Sequence, residues 1–173
     1  MAAEGCPGGI ATAKPGREGW AYEELWDLAV EADGSGTVER TRYRGVYLLY
    51  ASPVKLVSVA RSDNLAFVRK LIISSKCYKI KQLNKSDIVN YFSNRMDEPG
   101  CVDLRLRGKS KDLIVEYNKR MGAEVRKARK PCNRMVVVEG VDDIIIVAVG
   151  KVASCGPYCT LVIDEDLERH YIR

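Results

Sequence analysis

The longest apolar runs in this chain, Val46–Ala51 and Ile144–Val149, are six residues each, and that length limits the folds open to it. A helix crossing a bilayer needs roughly 20 such residues, whereas six suit a buried β-strand. With 173 residues, 46% of them apolar and 29% charged, the chain can form one large domain or two small ones. No membrane partner is expected. The N-terminal MAAEGCPGG has neither the basic nor the apolar region of a secretory signal. A cytoplasmic protein is therefore expected, with its six scattered cysteines as reduced thiols.

Periodicity divides the chain into alternating elements. Gly9–Lys14 reads as a short strand, and Trp20–Ala32 as an amphipathic helix with Leu25, Leu28, Ala29 and Ala32 inward and Glu23, Glu24, Asp27 and Glu31 outward. Trp20 and Trp26 are assigned to core or interdomain contacts. Thr37–Tyr43 and Val46–Ala51 form a β-hairpin. Pro53 opens a helical region, Leu65, Val68, Leu71 and Ile72 continue at helical spacing to Ile73, and Cys77–Leu83 returns to strand. This β-α-β-β-α-β order predicts a ferredoxin-like domain over residues 1–83. A second α/β domain is expected over 84–173, with a helix carrying Ile88, Val89, Phe92 and Met96, strand 101–107, helix 110–121, and strands Met135–Val138 and Ile144–Val149. The crossover through helix 110–121 should leave its flanking strands parallel. Thr160–Ile163 reads as one more strand and Asp164–Arg173 as a charged tail.

Charge is concentrated in the second half. Between Arg105 and Arg134, eleven Lys and Arg face only Asp112, Glu116 and Glu124, a local balance of +8 in a chain whose total is +5. Such an excess of one sign points to a polyanionic partner. The candidate RNA-binding residues are Arg105 and Arg107 on one strand face, Gly108 at a turn, and Lys109, Lys111, Lys119 and Arg120 along the next helix. Arg126, Lys127, Arg129, Lys130 and Arg134 complete the set. Tyr43, Tyr47 and Tyr50, interleaved with Arg40, Arg42 and Arg44, offer a base-stacking surface or plain sheet packing.

Three stretches in order resemble a THUMP-domain protein: Ala11-Thr-Ala-Lys-Pro-Gly-Arg-Glu18 before a helix, Val102-Asp-Leu-Arg-Leu-Arg-Gly-Lys109 before a helix ending Met121-Gly122-Ala123, and Met135-Val-Val-Val-Glu139 with Ile144-Ile-Ile-Val-Ala-Val149. The likeness covers about residues 9–150. It implies an N-terminal ferredoxin-like domain followed by a THUMP α/β domain, similar to stand-alone archaeal THUMP proteins and to the eukaryotic adaptor of tRNA cytidine acetyltransferase. That family grips the acceptor stem and 3′ CCA end of tRNA and presents it to a separate modifying enzyme.

Little supports catalysis. There is one histidine, His170, and no phosphate-binding glycine loop. Cys155-Gly-Pro-Tyr-Cys159 with His170 could contribute zinc ligands, with Cys132 or Cys101 as a fourth, or the pair could form a disulfide, but the motif lacks a second paired knuckle and reads equally well as a turn. No cofactor or metal is expected. A stand-alone tRNA-modifying enzyme, or a protein adaptor applying its basic face to an acidic partner, are the alternative functions.

Overall fold

The structure, a computed structural model, describes residues 5–82, 101–111 and 132–171, with side chains through Arg169. The helix expected to carry Ile88, Val89, Phe92 and Met96 and all but the first two residues of the helix expected at 110–121 lie outside these residues. The fold is mixed α/β. Its elements are β1 (Gly9–Ala13), α1 (Glu18–Ala32), β2 (Thr37–Arg40), β3 (Val46–Tyr50), α2 (Pro53–Ala60), β4 (Val68–Ile73), β5 (Cys77–Lys79), β6 (Val102–Arg107), β7 (Arg134–Val141), β8 (Ile144–Gly156), β9 (Cys159–Ile163) and α3 (Glu165–Tyr171). Single turns of 3-10 helix follow β5 and β6.

The strands join in one sheet of order β2-β3-β1-β4-β9-β8-β7-β6, with β5 beside β8. Strands β1 to β4 pair antiparallel, β4 with β9 parallel, and β6 with β7 parallel. The parallel pair expected across residues 112–131 is thus present. Strand β8 spans both halves: residues 144–151 pair with β7, and residues 152–156 pair with β9. The sheet is therefore continuous across residue 83.

Alternation explains the layering. On β1, β3, β4 and β9, residues such as Ala11, Leu49, Leu71 and Leu161 face α1, α2 and α3, while Ile10, Leu48, Ile72 and Val162 face the other way. The second set packs against Val137, Val141, Ile146 and Ala148, so the two halves of the sheet enclose a core. Helix α1 commits Ala21, Leu25, Leu28 and Ala29 to the first layer. Gly36 follows, and a Cβ there would strike the carbonyl of Ala29.

Four expectations are corrected. Residues 68–73 form a strand, because Leu71 and Ile73 are buried under helices while Ile72 is buried against β7 and β8. Burial on both faces erases the alternation that marks a half-exposed strand. The strand expected over 77–83 ends at Lys79. Residues 165–171 form a helix, anchored by buried Leu167 and by Glu168, which accepts from Arg61 Nη2 at 2.5 Å. The cysteines form three disulfides, Cys6–Cys77, Cys101–Cys132 and Cys155–Cys159. Sheet pairing brings the first two pairs to a Cα separation of 5.9 Å each, a proximity that linear spacing does not reveal.

Candidate nucleic-acid interface

Three connections meet at one end of the sheet. The β2–β3 loop brings Arg42 and Tyr43, the turn after β6 brings Gly108–Lys111, and the β7–β8 hairpin brings Asp142. Asp142 Oδ1 accepts from Arg42 Nη2 at 2.6 Å and from the Tyr43 hydroxyl at 2.7 Å. The Tyr43 hydrogen bond, followed by that of Arg42, holds the Asp142 carboxyl below the ordinary range. Asp142 N donates to Arg107 O at 2.9 Å, and the same carbonyl accepts from buried Ser110 Oγ at 2.9 Å. The turn is thus tied to the hairpin by side chain and backbone together.

Gly108 has φ +68°, where residues with a Cβ are strained. A Cβ at this position would also collide with Asp142 Oδ1 and the Tyr43 hydroxyl. Close approach by the chain itself accounts for this glycine.

The cations of β6 differ in availability. Arg107 Nη1 donates to Glu139 Oε2 at 2.8 Å, and its side chain is 20% exposed. Glu139, 1% exposed, lies on the face between the sheet halves, with the Lys70 ammonium of β4 against its other oxygen. Lys70 also lies 3.3 Å from Asp103 Oδ2. Arg107 therefore neutralises a buried carboxylate and is a structural cation. Arg105 points out, with its side chain 55% exposed and Nε 3.5 Å from Asp103 Oδ1. Lys109 and Lys111 are exposed and form no ion pair among the described residues.

Arg134 opens β7 and pairs with Glu165 at 2.5 Å. Because β6 and β7 are parallel and Arg107 pairs with Val141, Arg134 lies about 23 Å from the turn, seven strand residues away. Lys119, Arg120, Arg126, Lys127, Arg129 and Lys130 lie outside the described residues. Arg42, absent from the candidate set, is brought beside Gly108 by tertiary contact; its alternation with Tyr43 was the available signal. The tyrosines serve packing: Tyr47 is buried with its hydroxyl donating to Glu18 O at 2.7 Å, and Tyr43 is held by Asp142.

No family model matches this chain, and no curated protein matches it. Among the described residues, no group of three His, Cys, Asp or Glu is placed to hold a metal, and no helix is long and apolar enough to cross a membrane.

Proposed function

We propose that this chain is a non-catalytic tRNA-binding protein of the THUMP type, which holds the acceptor stem and 3′ CCA end and presents the molecule to a separate modifying enzyme, an RNA cytidine acetyltransferase being the candidate. The observation that carries the reading is the pair Lys109 and Lys111, exposed and in no ion pair among the described residues, on a turn fixed by Gly108, Ser110 and Asp142. They lie within the stretch Arg105–Arg134, in which cations outnumber acids by eight. The β2-β3-β1-β4 order supports the ferredoxin-like part, and the parallel β6–β7 pair supports the α/β part. Recognition rests on phosphate and shape, with Arg105 and Arg42 flanking the two lysines.

Binding to tRNA with four to six phosphates neutralised would give log K against log salt a slope of about −3 to −5. Replacing Lys109 and Lys111 with Glu should weaken binding and flatten that slope by about 2. Wild-type affinity in this variant, or a flat salt response in the native protein, overturns the assignment. Arg107 is unsuitable for this test, since its loss leaves buried Glu139 with Lys70 as its one cation among the described residues.

A further inference from the structure

Helix α1 presents a second surface with opposite chemistry. Its outer face exposes Trp20 at 57%, Trp26 at 41% and Val30 at 41%, three of the five large exposed hydrophobics among the described residues. Scattered exposed apolar groups are ordinary, but grouping on one helix marks an interaction face. Glu23, Trp26, Asp27 and Val30 recur at spacings of three and four, so they form one stripe. A cleft of about 470 Å³ is lined by Tyr22, Glu23, Trp26 and Asp27.

The charges decide what fits there. Residues 18–32 include five acids and no Lys or Arg. Two acids have structural work: Glu18 receives Arg44 Nε at 2.9 Å, and Glu24 accepts the backbone N–H groups of Ala66 and Phe67 at 2.6 Å each. Glu23, Asp27 and Glu31 are exposed and form no ion pair among the described residues. Glu31 lies in the last turn, where the helix dipole favours a cation. Helix stability does not account for these three carboxylates. They would repel a polynucleotide and attract a basic polypeptide. The chain already contains the matching contact, since the Arg40 guanidinium lies 4.1 Å from the centroid of the Tyr22 ring.

We propose that the outer face of α1 docks a basic segment of a protein partner, with an Arg or Lys entering the cleft between Trp26, Glu23 and Asp27 and an apolar neighbour covering Val30. Helix α1 packs on the sheet face turned away from β7 and β8. This inference does not depend on the tRNA reading.

Trp20 and Trp26 are the chain's two tryptophans, so intrinsic emission reports on this face. The probes are two synthetic amphipathic peptides, one of Leu with Lys and Arg, the other with Glu at every cationic position. The basic peptide should shift emission saturably and the acidic one should not. By calorimetry, Trp26→Ala should weaken the basic peptide at least tenfold and Glu23→Gln with Asp27→Asn at least fivefold. An absent or equal response to the two peptides, or wild-type peptide affinity in both variants, overturns the proposal. Sedimentation provides a further check: a dimer lost on Trp26→Ala would assign the face to a second copy and overturn it as well.

Discussion

Replacing Cys6 and Cys77 with Ala tests the covalent frame most directly. Their disulfide joins residues 71 positions apart, linking the segment before β1 to β5. Closing a loop of that length removes unfolded-state entropy equivalent to about 4 kcal/mol near room temperature. The Cys155–Cys159 bridge spans only four positions, and the same relation gives it about 2 kcal/mol. For a domain of this size, about 4 kcal/mol lowers the melting temperature by about 8–16 °C. Urea unfolding of the oxidised protein and the double variant should show the difference as a lower midpoint with reduced ΔG. Reductant should bring the wild type down towards the variant. Thiol titration in denaturant, without reductant, should find no free thiol. Six titratable thiols, or a variant within 1 kcal/mol of the wild type (roughly the spread expected of an ordinary substitution), would refute the reasoning.

Gly108→Ala should destabilise by about 1–3 kcal/mol through its left-handed backbone and the collision with Asp142 and Tyr43, read as a lower urea midpoint; an unchanged midpoint contradicts the packing described. Glu139→Ala should cost about 3–5 kcal/mol by taking the carboxylate from Arg107 and leaving Lys70 with Asp103 alone beside the core. The triple change Lys70→Met, Arg107→Met and Glu139→Leu should recover most of that loss by calorimetry, and no recovery would count against a charge effect. Because the folded Asp142 carboxyl titrates below its ordinary value, its stabilisation is complete above about pH 4 and disappears as pH falls through the folded-state pKa. Asp142→Asn should flatten this part of the acid unfolding profile, and an identical profile would remove the group from the argument.

Much of the fold is legible where one face of an element is wet. Leu25, Leu28 and Ala29 announce α1 because its opposite side is charged, and the Val136–Val138 run with Ile145–Val149 announces β7 and β8. Legibility fails where both faces are covered, as in β4, whose Leu71, Ile72 and Ile73 are all buried. The interface is less legible still. Arg105, Arg107 and Lys109 are all cations within five residues, yet Glu139, 32 residues beyond Arg107, holds only Arg107 against the core, while Arg105 and Lys109 are exposed. The tryptophans show the reverse error: size and apolarity suggest the interior, but Trp20 and Trp26 stand on the side of α1 facing solvent.

The place of β9 bears on how the molecule can be made. During synthesis β1, β3 and β4 leave the ribosome early, but the free edge of β4 is completed by residues 160–163. Until those residues emerge, the nascent chain carries an uncapped ladder of backbone donors and acceptors, a template for pairing with neighbouring chains. Expressing the first 83 residues alone would make that transient state permanent, so fragments cut there should be recovered chiefly as aggregate.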